Sequence, residues 1–332
     1  MSHIQNIDIK DLKEFLLKIE TDQIICLADE NVASLYKDLV SDISAIDKLT
    51  LFVTPQGEKC KTFGHFESYC EKILETGIYR GTHIVALGGG ATSDFSGYLA
   101  ASLLRGLSWS VIPTTLLSMI DAAIGGKVAI NSKHGKNLVG SFHMPENIYI
   151  CESFLTTLST EDINSGLGEL LKYGLLSNMI FDAVIKKEER GTVAGLCADF
   201  KDEVVKIDFK ETGVRKNLNL GHTIGHAFEK HFKLPHGVAV MHGLYWEDEL
   251  FNEGKLSKDL DRLRSSLNLP YTPLKISGEE IDPLCQLIFK DKKKVSLNSV
   301  EFVIAKEIEK IDYLKVTRDD FKRSFSSIID KT

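Results

Sequence analysis

The feature that most constrains the fold is an alternation of short apolar runs with helical periodicity in the first third of the chain. Four runs have the length and composition of strands: 23–28, 51–54, 83–87 and 109–112. Between them, apolar residues recur at helical spacing over 31–40, 63–76 and 93–104. Continuous apolar runs of this length are typical of parallel strands that are buried on both faces. The alternation therefore predicts an open α/β sheet.

Helical periodicity dominates the second half of the chain. The predicted helices cover 160–176, 179–189, 195–212, 222–232 and 238–253. This change predicts a domain boundary near Cys151, between an α/β domain of residues 1–150 and a mostly α-helical domain of residues 151–332. No linker rich in Ser, Gly or Pro separates the two halves, so we expect a tight join.

Composition limits the classes of protein to which the chain can belong. It has 332 residues, of which 43% are hydrophobic, enough for a sizeable core and two domains. The formal net charge of −7 excludes a global basic field, so we expect no nucleic-acid partner. A polar start and the lack of an apolar run of about 20 residues predict no signal peptide and no membrane partner. Six scattered cysteines are typical of reduced thiols, which predicts a cytoplasmic protein.

Three glycines, Gly88–Gly90, follow the third strand-like run and precede a helical stretch. Backbone N–H groups at such a turn can face a phosphate, because no Cβ blocks its approach and the helix dipole favours negative charge. The spacing is not the usual G-x-G-x-x-G pattern, and a tight turn without a ligand is an alternative. Asp94 is then an ordinary acid at a helix start. Glu58 and Lys61, after the second run, could hold a ribose, although a plain charged loop explains them as well.

The stretch 113–137 is unusually rich in Gly, Lys and Asn, among them Lys127, Asn131, Lys136 and Asn137. Glycines let the backbone approach a ligand, while lysine supplies a point charge for a phosphate. A hairpin with solvated charges has the same composition. Both interpretations stay open on the residues alone.

A candidate metal site comes from the predicted helices. Glu169 and Lys172 lie on one helical face among leucines and glycines, although a surface ion pair has the same spacing. His222 and His226 also share a helical face, and His236 follows ten residues later. Catalytic zinc is typically held by three N or O ligands, for which a Glu/His/His set is suitable. Three histidines without a metal are the alternative.

These segments together resemble the 3-dehydroquinate synthase family, within the sugar-phosphate cyclase superfamily. The resemblance extends from about Asp29 to Asp291 and rests on the stretches VALGGGATSDFSGYLAASLLRG, PTTLLSMIDAAIGGKVAINSKHGKNLVGSFHMP, TLSTEDINSGLGELLKYG, GVRKNLNLGHTIGHAFE and HGVAV. It implies an α/β dinucleotide-binding domain followed by a mostly α-helical metal- and substrate-binding domain. It also implies NAD, a divalent metal ion (Zn²⁺ or Co²⁺), a small sugar phosphate as substrate, and a homodimer.

The resemblance assigns roles to residues by position. It implies three metal ligands: Glu169, His222 and His236. It implies NAD contacts from Asp29, Glu58, Lys61, Gly89, Gly90, Asp94, Thr114, Thr115, Lys136, Thr157 and Leu158. It implies a substrate pocket of Asp121, Lys127, Asn137, Lys172, Lys201, Arg215, Asn219 and His226. Lys292 or Lys293 is expected to join the pocket, and Arg105 is expected to serve the neighbouring subunit's site.

The implied activity closes 3-deoxy-arabino-heptulosonate 7-phosphate to 3-dehydroquinate with loss of phosphate. Lys201 and Arg215 are expected to bind the carboxylate of this substrate. The chain departs from the family pattern at Ala122, Ala123, Val128 and Val238, and an acid near Asp162 is shorter than the family's glutamate. The alternatives are another sugar-phosphate cyclase, a metal-dependent polyol or glycerol dehydrogenase, and a binding protein without turnover.

Overall fold

The computed structural model describes residues 2–290, 294–296 and 299–329. The chain divides into two compact units, Met1–Ser159 with Ala198–Lys210 and Thr160–Cys197 with Glu211–Thr332. Residues 198–210 belong to the first unit, where Lys201 contacts Asp121. The functional domain boundary at residue 150 remains a prediction.

A six-stranded sheet forms the centre of the first unit, and all its neighbouring strands are parallel. Its strands are β1 (His3–Asn6), β2 (Ile24–Asp29), β3 (Leu49–Thr54), β4 (His83–Gly88), β5 (Trp109–Pro113) and β8 (Asn147–Ile150). Their order across the sheet is β1-β8-β5-β4-β2-β3. A hairpin of β6 (Lys127–Ser132) and β7 (Gly135–Phe142) forms a separate antiparallel ribbon.

The helices of this unit are α1 (Leu12–Leu17), α2 (Glu30–Leu35), α3 (Lys37–Ser44), α4 (Phe63–Glu75) and α5 (Gly90–Ser102). The predicted α/β sheet is confirmed, since the four strand-like runs form β2 to β5. Both β2 and β4 are buried at every position, as continuous apolar runs require. The polar strand β1, HIQN, was not predicted, and it pairs at the sheet edge with β8 alone.

The helix predicted over 31–40 is wrong in its extent, because the chain forms α2 and α3 with a break at Tyr36. Tyr36 has φ −115° and ψ 50°, outside the helical region. Its hydroxyl lies 2.8 Å from Oγ1 of Thr157. The tyrosine therefore interrupts the helix while making a tertiary contact that spacing does not reveal.

The second unit is mostly α-helical, which confirms the predicted fold class. Its helices are α6 (Thr160–Leu176), α7 (Asn178–Ile185), α8 (Arg190–Ile207), α9 (His222–Phe232), α10 (His236–Asn252), α11 (Ser257–Ser266), α12 (Ile281–Lys290) and α13 (Arg318–Ile329). Helix α8 begins in this unit and ends in the first. Helix α10 packs against both α6 and α9.

A three-stranded antiparallel sheet, which was not predicted, adds to these helices. It consists of β9 (Lys294–Ser296), β10 (Ser299–Glu307) and β11 (Lys310–Thr317), with β10 in the middle. Phe302 of β10 packs against α13 through Phe321, and both rings are fully buried. Across the residues that the structure describes, no helix is long and apolar enough to cross a membrane.

Candidate functional site

The predicted NAD residues of the first unit gather at the carboxyl edge of the parallel sheet. Strand β2 ends at Asp29, and its neighbour β4 ends at Gly88. From β2 the chain continues outward to β3, and then returns to place β4 and β5 on the other side. In open α/β sheets this switch point is where nucleotides bind.

Asp29 organises the loops around this edge. Its carboxylate is buried and accepts hydrogen bonds from the backbone N–H of Asn31 and Gly57, each at 2.9 Å. It also accepts one from the hydroxyl of Thr92 at 3.2 Å. The carboxylate thus caps α2 and fixes the turn that carries Glu58 and Lys61.

The glycine turn leaves an open cradle at the start of α5. A Cβ on Gly89 would lie 3.0 Å from Cγ2 of Thr115, and a Cβ on Gly90 would lie 3.0 Å from Cβ of Ala122. The backbone N–H of Thr114 donates to the carbonyl of Gly88 at 3.0 Å, which brings the end of β5 to the same turn. Backbone without side chains at a helix N-terminus suits a phosphate of a dinucleotide.

Lys61 lies at the centre of a buried polar cluster. Its Nζ is 2.5 Å from Oδ2 of Asp94 and 2.5 Å from Oδ1 of Asn137, and its side chain is 1% exposed. Burial raises the pKa of Asp94 to about 6, although Lys61 opposes this shift. The predicted residues Lys61, Asp94 and Asn137 are therefore brought together, with Glu58 4.0 Å away at the rim.

Asn131 connects this cluster to the β6–β7 hairpin. Its Nδ2 donates to Oε2 of Glu58 at 2.6 Å, and its Oδ1 accepts from the backbone N–H of Asn137 at 3.0 Å. Asn137 has φ +55°, and this bond holds the left-handed turn. Lys127 and Lys136 are exposed on the same hairpin. Asn131 lies in the Gly-, Lys- and Asn-rich stretch 113–137, but no role was predicted for it.

The segment 151–159 supplies the last predicted NAD residues. Thr157 is exposed and ends a 3₁₀ turn, where its hydroxyl meets Tyr36. Leu158 is half-buried and its backbone is extended. Both lie in the first unit with the other predicted NAD residues.

The helical stretch predicted over 93–104 begins later and ends later than the helix in the structure. Helix α5 ends at Ser102, and Leu104 and Arg105 have φ +48° and +69°. Gly106 closes this left-handed turn with φ +117°, a conformation that favours glycine. The side chain of Arg105 is exposed.

The three predicted metal ligands converge in the second unit. Oε1 of Glu169 lies 3.1 Å from Nε2 of His222 and 3.0 Å from Nε2 of His236. Helices α6, α9 and α10 supply one residue each. A carboxylate oxygen and two imidazole nitrogens this close together are a donor set that a catalytic divalent metal can use.

Close backbone contact between α6 and α10 makes this convergence possible. A Cβ on Gly237 would lie 1.7 Å from the carbonyl oxygen of Ser165, and a Cβ on Gly168 would lie 2.0 Å from the carbonyl oxygen of Gly237. No other residue type fits either position. The glycines therefore set the distance between Glu169, which directly follows Gly168, and His236, which directly precedes Gly237.

The outer nitrogens of the two histidines are also held. Nδ1 of His222 lies 3.0 Å from the carbonyl oxygen of Leu220, and Nδ1 of His236 lies 2.9 Å from Oε2 of Glu229. Metal-binding histidines typically have such partners, which fix the tautomer and the ring orientation. Because the outer nitrogens of His222 and His236 have such partners, the set of Glu169, His222 and His236 fits a metal ion. Glu229 was not predicted, although it lies seven residues after His222 on the same helical face.

Electrostatics differ between the members of the cluster. Burial lowers the pKa of His222 to about 4, which keeps the ring neutral as a metal ligand must be. Burial also opposes a charge on His236, but two carboxylates raise its pKa to about 10 while no metal is bound. Burial alone would raise the pKa of Glu169, but Lys172 and His222 hold it well below its ordinary value.

Lys172 and His226 complete the cluster. Nζ of Lys172 lies 2.7 Å from Oε2 of Glu169, and neither side chain is more than 1% exposed, which excludes a surface ion pair. A ring nitrogen of His226 lies within 4.8 Å of ring nitrogens of His222 and His236. His226 thus borders the metal cluster.

Arg215 and Asn219 lie in one 3₁₀ turn, Val214–Asn219, in the second unit. Arg215 is fully buried. Nδ2 of Asn219 donates to Oε1 of Glu211 at 2.6 Å, and Glu211 has φ +61°. Glu211 was not predicted, since a single acid in a loop has no distinguishing spacing. Lys292 and Lys293 lie outside the described residues.

Two family models match consecutive parts of the chain. The family model of the 3-dehydroquinate synthase N-terminal part matches residues 51–165, and that of the C-terminal part matches residues 166–294. The 3-dehydroquinate synthase of Staphylococcus aureus (strain MRSA252) is 39% identical over 285 residues, which cover 82% of this chain and 80% of that protein.

Solved structures share the fold at lower sequence identity. One is 2-deoxy-scyllo-inosose synthase with carbaglucose-6-phosphate, NAD⁺ and Co²⁺, with TM-score 0.82, 22% identity, and coverage of 96% of this chain and 95% of that one. Another is 2-epi-5-epi-valiolone synthase from Streptomyces hygroscopicus subsp. jinggangensis 5008 with NAD⁺ and Zn²⁺, with TM-score 0.84, 21% identity, and coverage of 100% and 98%. With both family models matched across most of its length, the chain belongs to the 3-dehydroquinate synthase family.

Proposed function

We propose that this protein is a 3-dehydroquinate synthase that converts 3-deoxy-arabino-heptulosonate 7-phosphate to 3-dehydroquinate and phosphate. The observation that carries the proposal is the convergence of Glu169, His222 and His236 in a chain of this family. NAD and a divalent metal ion, Zn²⁺ or Co²⁺, are its proposed cofactors. Relatives of the same fold bind both kinds of cofactor.

The second unit would hold the metal ion through Glu169, His222 and His236. When bound, NAD would take a hydride from a substrate carbinol and later return it, while the metal ion would polarise the carbinol oxygen as a Lewis acid. Lys172 keeps Glu169 ionised and places a positive charge beside the substrate. The ketone formed by oxidation acidifies the neighbouring C–H bond, so that phosphate can leave by elimination.

The first unit would hold NAD at the carboxyl edge of its sheet. Gly89 and Gly90 offer backbone N–H groups to the phosphates, and Asp29 keeps the neighbouring loops in place. Lys61 fixes Asp94 at the first turns of α5. We assign the same role of cofactor binding to the predicted residues Glu58, Thr114, Thr115, Lys136, Thr157 and Leu158.

The substrate carries a carboxylate and a phosphate, and we assign different residues to each. Lys201 and Arg215 are proposed to bind the carboxylate, to which a guanidinium can donate two parallel hydrogen bonds. We assign the phosphate to Lys127, Asn137, Asn219 and His226, and we assign Asp121 to the same pocket. Lys201 belongs to the first unit and Arg215 to the second, so their common contact stays a prediction.

A homodimer in the cytoplasm is the proposed state of the enzyme. The family resemblance supports the dimer, and the reduced cysteines support the compartment. All six cysteines are free, and five of them are buried.

The decisive experiment measures phosphate release from the heptulosonate phosphate by purified protein with added NAD and Zn²⁺. We expect release without a matching accumulation of NADH, because one bound cofactor is oxidised and reduced in each turnover. A chelator should abolish the release, and added Zn²⁺ should restore it. Stoichiometric NADH from a simple polyol, without phosphate release, would identify a dehydrogenase instead. Release from a different sugar phosphate alone would identify another cyclase.

A further inference from the structure

Glu229 shares one face of α9 with two histidines of the metal cluster. His222, His226 and Glu229 occupy positions i, i+4 and i+7, which lie on the same side of a helix. Oε2 of Glu229 lies 2.9 Å from Nδ1 of His236, and the carboxylate is largely buried at 19% exposure. Helix α9 thus carries the proposed ligand His222 and also Glu229, which contacts the proposed ligand His236.

The two histidine ligands differ in how their rings are fixed. His222 lies within the buried start of α9, is 11% exposed, and has the backbone carbonyl of Leu220 on its outer nitrogen. His222 and His236 are each the first residue of a helix, but the side chain of His236 is 30% exposed. A more exposed side chain has fewer packed neighbours to restrict its rotamer. The ring of His236 therefore depends more on its hydrogen-bond partner than the ring of His222 does.

The chemistry of the contact determines the tautomer. A His236 ring that binds a metal ion through Nε2 is neutral and keeps its hydrogen at Nδ1, where the ionised carboxylate of Glu229 can accept a hydrogen bond from it. The lone pair is then at Nε2, the atom that faces Glu169. With the opposite tautomer, a hydrogen would point at the position where a metal ion has to bind.

We propose that Glu229 is a positioning residue that holds His236 in the rotamer and tautomer needed for metal binding. The inference rests on the proposed function, because that function makes His236 a metal ligand. Loss of such a partner typically lowers metal affinity about 10–100-fold. Glu229 does not bind the metal ion itself in this proposal, since it contacts the nitrogen on the far side of the ring.

The test measures the Zn²⁺ affinity of the full-length protein by competition with a chromophoric chelator. We expect the variants Glu229→Ala and Glu229→Met to bind Zn²⁺ about 10–100-fold more weakly than the wild type. Methionine removes the hydrogen-bond acceptor but keeps a side-chain volume similar to that of glutamate. Glu229→Gln keeps an acceptor oxygen, so it should regain part of the affinity. Glu280→Ala is the matched control. Oε1 of Glu280 lies 3.5 Å from Nε2 of His231, which is on the same helix α9 but is not part of the metal cluster. This control variant should bind Zn²⁺ as the wild type does.

Zn²⁺ affinity within about twofold of the wild type in the Ala and Met variants would overturn the proposal. If neither variant folds without metal, as judged by circular dichroism, Glu229 serves the fold and the proposal is also wrong. If Glu280→Ala lost as much Zn²⁺ affinity as the Glu229 variants, the proposal would also be wrong. Phosphate release by the wild type is measured separately, so an inactive wild type that binds Zn²⁺ tightly would reject the proposed function but not the role of Glu229.

Discussion

Nζ of Lys201 lies 2.6 Å from the backbone carbonyl oxygen of Asp121 and 3.0 Å from its carboxylate. The two residues are 80 positions apart, and both were predicted to line the substrate pocket. The lysine is buried while the aspartate is partly exposed. The ammonium group is therefore fixed before any substrate carboxylate arrives, so little side-chain entropy has to be lost on binding.

The first prediction follows from this pair. Lys201→Met removes the cation that we assign to the substrate carboxylate, and hydrogen bonds to charged groups contribute about 1.5–3 kcal/mol. We expect the KM for the heptulosonate phosphate to rise by roughly ten- to a hundredfold, while the Kd for NAD changes little. Steady-state kinetics and equilibrium dialysis with NAD measure the two quantities.

Lys206→Met provides the matched control. Lys206 lies on the same helix α8 and pairs with Asp202 at 2.6 Å, but it is exposed. Its removal should leave KM unchanged. If both variants raised KM equally, the effect would come from the stability of α8 and not from the position of Lys201.

The second prediction concerns the metal cluster. His222→Ala removes a ligand outright, so the loss should exceed that of an outer partner, which is about 10–100-fold. We expect metal content after dialysis and the rate of phosphate release both to fall by at least roughly a hundredfold. Elemental analysis and phosphate release measure them. Full metal occupancy with near-normal activity would contradict the assignment of His222.

The third prediction concerns pH and a buried histidine outside the site. Burial lowers the pKa of His83 to about 4, and its Nε2 lies 2.8 Å from Oγ of Ser110. In the unfolded chain the pKa of histidine is about 6.5, so as pH falls the unfolded state takes up the proton first. His83 therefore lowers the free energy of unfolding by up to about 3 kcal/mol between pH values of about 6.5 and 4.

Urea unfolding of wild type and His83→Gln at several pH values tests this. The difference in free energy of unfolding between the two proteins should shrink, or shift in favour of the variant, as the pH falls below about 6.5. Above that pH the difference should be constant. A difference that stays the same from about pH 7.5 to about pH 5 would show that His83 does not titrate in this way.

Much of the fold could be predicted because burial and periodicity agree. Strands β2 and β4 are apolar throughout and are buried throughout, so their composition reveals them. Strand β11, KIDYLKVT, is mostly exposed and carries no clean alternation. It is stabilised by its pairing with β10, which is a contact that local sequence does not encode.

The site was predictable where local spacing places side chains together. His222 and His226 share a helical face by spacing alone. The contact of Glu229 with His236 instead depends on the chain turning back after α9. Likewise, Asp29 was expected to contact NAD, but its role in holding Gly57 and Thr92 becomes visible only when three strand ends are adjacent. Side-chain partners across elements follow from the fold rather than from spacing.

The last prediction is that Arg105 acts in the site of the neighbouring subunit. Arg105 lies beyond the end of α5, in a left-handed turn closed by Gly106, with its side chain exposed. Helix α5 begins at the glycine turn and has 13 residues, so at about 1.5 Å per residue its far end lies on the order of 20 Å from that turn. Arg105 is therefore badly placed to reach a ligand at the turn of its own subunit.

A mixing experiment tests this directly. Arg105→Ala and His222→Ala homodimers should each be nearly inactive, for different reasons. A heterodimer has one site with an intact metal cluster from the first variant and an intact Arg105 from the second. Unfolding and refolding an equal mixture should therefore restore part of the phosphate release, up to one working site per heterodimer. If differently tagged subunits form heterodimers that stay inactive, Arg105 does not act across the interface, and its exposed guanidinium serves only its own chain.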